Sequence, residues 1–151
     1  MEKTYRVRDL IALGFALFEK PKSTPTLFFA TDIHIDGNID VTTANLELGG
    51  NFCCSGFIRA KNINSSASIF VSDFISCQEI AVRGNLTVNG NLLYSPRGIT
   101  CDNLLAKGRV DCGHLIGNTL SVNGKVDALG IKAKKIKFQD IVNATSIEIE
   151  D

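Results

Sequence analysis

The chain has 151 residues, the size of one domain, and its sixteen Lys plus Arg balance sixteen Asp plus Glu, for a formal net charge of zero. A bulk electrostatic pull toward nucleic acid or an acidic membrane is therefore not expected. Apolar residues make up 44% and charged residues 21%, with no stretch near the roughly 18 consecutive apolar residues of a membrane-spanning helix, so a disordered chain, a collagen and an integral helical membrane protein are excluded.

In chain order, the first 31 residues differ from the rest. Val7, Leu10, Ile11, Gly14, Leu17 and Phe18 follow helical spacing, with Arg6, Arg8, Asp9 and Glu19 around them. This predicts one amphipathic helix of about four turns, ended by Pro21 and followed by an extended connector to residue 31. The apolar run Leu10 to Phe18 after Lys3, Arg6 and Arg8 has the look of a secretory leader. Glu2 and Asp9 add acid to its basic region, however, and Glu19-Lys20-Pro21-Lys22 offers no small-residue cleavage site.

From residue 32 to 151 the helical period gives way to a repeat. Short aliphatic-x-aliphatic or aliphatic-x-small pairs recur every five to seven residues: Ile33/Ile35, Ile39/Val41, Leu46/Leu48, Phe52/Cys54, Ile58/Ala60, and onward through Leu92/Tyr94 to Ile147/Ile149. Each pair has period two, the mark of a very short strand with one buried face, and Gly, Asn, Asp and Ser turn the chain between pairs. The apolar phase continues through the Gly-Asn steps without reversing, so the chain bends by a fixed angle at each step rather than folding back in hairpins. Grouping by threes puts coil starts at Leu46, Ile63, Ile80, Ile99, Leu115, Ile131 and Ile147, separated by 17, 17, 19, 16, 16 and 16 residues. The expected fold is all-β: a three-sided parallel β-helix of about seven coils, roughly 35 Å long at a strand spacing of about 4.8 Å, with one N-terminal amphipathic capping helix. Gly37, Gly50, Gly84, Gly90 and Gly124 mark corners where positive φ is expected. Asn38, Asn45, Asn51, Asn62, Asn85, Asn91 and Asn103 each precede an inward aliphatic, where Asn can adopt the left-handed conformation, bond across a corner or stack along it.

Residues able to carry chemistry are few. The five cysteines, at 53, 54, 77, 101 and 112, form no C-x-x-C and are odd in number. They read as reduced apolar fillers, with Cys53 alone facing outward, and point to a reducing, cytoplasmic setting. His34 and His114 have no acidic or nucleophilic neighbour at a telling spacing, and no phosphate loop, dinucleotide fingerprint or H-E-x-x-H is present. No catalytic, cofactor or metal residue is assigned. Phe70 and Phe74 are expected to project outward as a small apolar patch. Lys132, Lys134, Lys135 and Lys137 alternate with inward residues as a basic ridge near the C-terminal end. With Ile147 and Ile149 of the last coil they make the candidate interaction surface. No aromatics interleave with these lysines and Glu148 and Glu150 follow, so nucleic acid is not an expected partner.

The phrases Ile33-His-Ile-Asp-Gly-Asn-Ile-Asp-Val41, Ile80-Ala-Val-Arg-Gly-Asn-Leu-Thr-Val88 and Leu120-Ser-Val-Asn-Gly-Lys-Val-Asp-Ala128 share one form, aliphatic-x-aliphatic-x-Gly followed by an aliphatic-x-small pair, at a coil length of about 17. From Ile33 to Ile149 the chain distantly resembles the bactofilins, a bacterial family of polymer-forming β-helix proteins. The resemblance implies a right-handed triangular solenoid, a structural rather than enzymatic role, and nucleotide-free self-association of solenoid ends, often beside the membrane. One departure matters. Bactofilins flank the solenoid with disordered tails, whereas here Val7, Leu10, Ile11, Leu17 and Phe18 form the apolar face of a helix that would cover the first coil. The expectation is then a monomer, or a homodimer or higher oligomer joined through the C-terminal coils, rather than a filament, with peripheral membrane contact or partner binding as the other uses of the helix. A hexapeptide-repeat acyltransferase also has a three-sided β-helix, but its small inward residue precedes the aliphatic by two, whereas Ala60, Cys77 and Ala128 follow theirs. A solenoid binding or adhesin module would show an aromatic ladder, which the nine Phe do not form.

Overall fold

A computed structural model describes residues 3–150, apart from the side chain of Tyr94. The chain opens with β1 (Thr4–Tyr5), α1 (Val7–Ala12), β2 (Ala16–Phe18) and β3 (Thr26–Phe29). Seven coils follow. The first four each have three strands: β4 (Ile33–Ile35), β5 (Asn38–Val41) and β6 (Asn45–Leu48); β7 (Phe52–Cys54), β8 (Ile58–Ala60) and β9 (Asn62–Ser65); β10 (Ile69–Val71), β11 (Ile75–Ser76) and β12 (Glu79–Val82); β13 (Asn85–Val88), β14 (Leu92–Ser95) and β15 (Gly98–Thr100). In the last three the second and third strands fuse: β16 (Asn103–Ala106) and β17 (Val110–Ile116); β18 (Thr119–Val122) and β19 (Val126–Ala133); β20 (Lys135–Phe138) and β21 (Val142–Ile149).

The strands stack as a β-solenoid. Face one is a seven-stranded parallel sheet running from β4 to β20. Faces two and three belong to one fourteen-stranded sheet bent along its length, in which β17, β19 and β21 each cross from face two to face three. The expected coil starts lie directly above one another on face three, Leu46 on Ile63, Ile80, Ile99, Leu115, Ile131 and Ile147. Inward residues of all three faces form one apolar shaft from Leu10 to Ala133. No coil buries its inward side alone, so stability comes from stacking, with the strands of interior coils hydrogen-bonded to the coils above and below.

Corner chemistry differs from the sequence expectation. Of the five corner glycines only Gly37 has positive φ, and no Asn among the described residues is left-handed. Gly90 is needed for close approach instead: a Cβ there would sit 2.7 Å from the Asp73 carbonyl carbon of the neighbouring coil. The asparagines bond between coils. Asn62 Nδ2 donates to Asn45 Oδ1 (3.0 Å) and Asn103 Nδ2 to Asn85 Oδ1 (2.9 Å). Asn38, Asn51 and Asn91 accept the backbone N–H of Phe57, Ser68 and Arg109 one coil on. Where the step lengthens to 19 residues, a register shift between Leu92 and Ser95 absorbs the extra chain, and buried Ser95 stands opposite Cys112. Of the expected Leu92/Tyr94 pair, Leu92 is buried. The Tyr94 side chain lies outside the described residues.

The N-terminal segment is the largest correction. The helix is six residues long, fewer than two turns, rather than four. Gly14, at φ +115°, takes the position just past the C-cap Leu13, and β2 then reverses onto β3 as an antiparallel pair. Leu17 and Phe18 are therefore strand residues, half-buried and exposed, and not part of a helical face. β1 pairs in parallel with β5, and β3 with β6, so the stack already begins within the first 31 residues. The closing role falls to Leu10 and Phe15, both in the core, with the Phe15 ring 4.8 Å from that of Phe29. Val7 packs on the core from a half-buried position, and Ile11 is exposed. Arg6 fastens the segment through a 3.2 Å ion pair to Asp40.

Candidate functional site

The two ends of the shaft are unlike. At the N-terminal end Leu10, Phe15 and Leu27 are buried. At both ends the outermost strands have a neighbouring strand on one side only, β1, β2 and β4 at the first and β20 and β21 at the second. The inward residues of β20 and β21 continue the apolar columns: Ile136 and Phe138 follow Leu120 and Val122, and Ile147 and Ile149 follow Ile131 and Ala133. Leu120, Val122, Ile131 and Ala133 are buried, whereas Ile147 and Ile149 are 53% and 54% exposed. Identical side-chain direction with opposite exposure means that the last described coil presents core to solvent. Ile141, at the corner leading into β21, is also exposed. Beside these residues lies a row of backbone N–H and C=O groups with no strand beyond it among the described residues, the usual template for strand addition.

The lysines do not form one straight ridge. Lys132 lies on face three, where Glu150 meets it at 3.0 Å. That hydrogen bond, the charge of Glu150 and the charge of Glu148 raise the Lys132 pKa above its ordinary value. Lys135 and Lys137 lie on β20 of face one, exposed and outward, and Lys134 stands at the corner between the two faces. The rim of the open end is therefore basic on face one and acidic on face three, at Glu148 and Glu150. Face two carries the neutral Asn143, which donates to Asp127 above it (2.9 Å).

His34 and His114 are both exposed, on β4 of face one and on β17, where that strand crosses from face two to face three. Among the described residues no three His, Cys, Asp or Glu side chains converge as a metal site would require, and no helix is long and apolar enough to cross a membrane. A broad depression along face two is lined by Asp111, Cys112, Asp127, Asn143, Thr145 and the exposed Leu129. Phe70 is exposed as expected, but Phe74 stacks on Phe57 (4.8 Å between centroids, 8° between planes) with the Arg59 guanidinium 4.9 and 5.2 Å from the two rings. Phe74 thus braces adjacent coils instead of extending a patch with Phe70.

The cysteines form no disulfide; Cys54, Cys77, Cys101 and Cys112 are buried and Cys53 is half-buried on the outward side. Burial pushes the Cys77, Cys101 and Cys112 thiols up to about 12, above the ordinary value of 9.0. Brief alkylation of the native chain at neutral pH is expected to modify Cys53 first, with those three reacting only after denaturation; peptide mapping by mass spectrometry reads the order. The same shifts set a pH dependence. Above pH 9 the unfolded chain loses thiol protons that the folded chain keeps. Stability is therefore full below that pH and falls as pH rises toward 12, by up to about 1.4 kcal/mol per pH unit for each thiol. Urea melts between pH 8 and pH 11 are expected to show this loss, and Cys101→Ala to make it shallower.

No family model matches the chain, and no curated protein or solved structure matches it.

Proposed function

We propose that this chain is a non-catalytic structural element, a solenoid closed at its N-terminal end that self-associates through its open C-terminal coil. The observation that carries this reading is the contrast within single inward columns, buried at Ile131 and exposed at Ile147. Exposed core beside an unpaired strand edge favours addition of another edge, and a second copy supplies a matching one. The resemblance to bactofilins supports end-to-end contact. Burial of Leu10 and Phe15 against the shaft at the other end favours a closed pair over a filament.

Light scattering coupled to size exclusion tests the reading. The chain is expected to elute at twice its 16.3 kDa mass at micromolar concentration. Ile147→Asp is expected to return it to a monomer while leaving the far-UV circular dichroism unchanged, since that side chain is already half in water. A wild-type chain that stays monomeric at every concentration overturns the reading.

A further inference from the structure

A cavity of about 220 Å³ lies on face three, with Thr26, Asn45, Glu47, Asn62, Asn64 and Glu79 in its wall. Two outward columns of the sheet build it. Thr26, Asn45, Asn62 and Glu79 succeed one another along the first, and Glu47, Asn64 and Ala81 along the second.

The first column is an amide ladder, and such a ladder has a direction. Each Asn side chain has a donor end and an acceptor end, so a rung that donates backward must accept from the rung ahead. Asn62 Nδ2 donates back to Asn45 Oδ1 (3.0 Å). The rung ahead is Glu79, whose carboxylate has no hydrogen to give. On face one the equivalent ladder, Asn103 to Asn85, is followed by Thr119, which carries a hydroxyl donor. The ladder on face three ends on an acceptor instead, and Asn62 Oδ1 is buried with no hydrogen-bond partner. A buried polar atom left unpaired is destabilising, and native structures keep few of them.

Carboxylates bracket that oxygen. Glu79 stands one coil beyond Asn62, and Glu47 stands one coil before it on the neighbouring column; both are exposed. The ion pairs among the described residues use Asp40, Asp111, Asp127 and Glu150, so neither Glu47 nor Glu79 has a cation there. The wall therefore gathers acceptors and negative charge around an oxygen that lacks a donor. Its complement is a cation rich in N–H groups.

Shape separates the two common cations of that kind. Rungs are about 4.8 Å apart, so the backbones carrying Glu47 and Glu79 are two spacings apart along the shaft. A planar guanidinium has five donors on several edges and reaches carboxylates on either side of the Asn62 rung, whereas an ammonium is a compact point charge. The cavity is also smaller than the roughly 300–1,000 Å³ of sites for drug-sized ligands, which suits one such group on a short stem. We infer that this cavity binds a single guanidinium group, with Asn62 Oδ1, Glu79 and Glu47 as its acceptors. The group belongs either to a free guanidinium compound or to an arginine side chain of a partner protein.

The full chain is titrated with methylguanidinium, with methylammonium and with the capped tripeptide acetyl-Gly-Arg-Gly-amide, read by nuclear magnetic resonance at the side-chain amides of Asn45, Asn62 and Asn64. Methylguanidinium is expected to give saturable shifts centred on Asn62, and methylammonium to bind about fivefold or more weaker. A tripeptide that binds at least as tightly as methylguanidinium assigns the site to an arginine side chain, and a tripeptide that is excluded assigns it to a free compound. Glu47→Gln and Glu79→Gln are each expected to weaken methylguanidinium by about fivefold. Glu79→Gln also supplies the missing donor from within the chain, so its thermal midpoint is expected to rise, while that of Glu47→Gln is not. Glu148→Gln, elsewhere on face three, is expected to change neither reading. All three positions are exposed, and the thermal melts confirm that each chain is folded. The site is overturned if methylguanidinium produces no saturable shift at Asn62, if methylammonium binds as tightly, or if Glu47→Gln and Glu79→Gln both bind like wild type.

Discussion

Leu86→Asp is expected to abolish folding, while Thr87→Asp one residue away leaves the chain folded. Leu86 is fully buried on β13, in register between Ile69 and Leu104, so it has a shaft residue on either side. Thr87 points out of the same strand and is half-buried at the surface. Removing a core aliphatic costs about 2–5 kcal/mol, and an unpaired buried carboxylate adds several more. Together these are comparable with the roughly 5–15 kcal/mol by which a whole domain is stable. Because Leu86 lies in the middle of the stack, the chain cannot shed the damage as a frayed end. Far-UV circular dichroism and urea melts of the two variants check this, with Leu86→Asp insoluble or lacking a cooperative transition and Thr87→Asp within about 1 kcal/mol of wild type. Equal losses from the two changes would contradict the inward–outward assignment on which the solenoid rests.

Removing the N-terminal plug is expected to turn a closed pair into a growing particle. Leu10 and Phe15 hold α1 and the turn after it against the shaft, and truncating either to Ala removes about 2–5 kcal/mol of packing. The segment they anchor is short: a six-residue helix, a two-residue β1 and the Arg6–Asp40 ion pair, whose Arg6 side chain is largely in water. With Leu10→Ala/Phe15→Ala the segment detaches, and inward residues of the first coil such as Ile35 and Ile39 become available for contact. Each copy then has two associating ends. Light scattering is expected to show masses well above the dimer, with rods in negative-stain micrographs. Adding Ile147→Asp to that variant leaves a single associating end and limits the particle to pairs. A Leu10→Ala/Phe15→Ala chain that remains a dimer would contradict the role of the plug.

Much of this architecture is readable from spacing because every coil must point its aliphatics into one shaft. That constraint fixes the step from Leu46 to Ile147 and places Cys54, Cys77, Cys101 and Cys112 inside and Cys53 outside. Ile147 and Ile149 stand out in sequence as an inward pair, and they stack in register on Ile131 and Ala133 while remaining exposed. The features that sequence misplaces depend on contacts or backbone geometry rather than on period. Leu10, Gly14 and Leu17 fit a helical wheel, yet Gly14 leaves the helix with a positive φ, and the alternation of Phe15 with Leu17 is a strand signal hidden in an apolar run. The corner glycines serve backbone approach between coils, which only the stacked neighbour reveals. The lysine ridge looks continuous from 132 to 137, but a corner at Lys134 divides it between two faces. The charge asymmetry of the open end comes from that division.

Hydrogen–deuterium exchange as a function of protein concentration tests the central claim most directly. In an isolated chain the β21 amides that point away from β19 have no strand to bond, while those of β17 are covered on both sides. The account predicts that these outward amides within Val142–Ile149, together with those on the free edge of β20, gain protection as concentration rises through the dimer dissociation constant. Val110–Ile116 and the amides of β1 should not change. Exchange at the C-terminal edge that is the same at every concentration, or protection that appears at β1 and β2 instead, would contradict it.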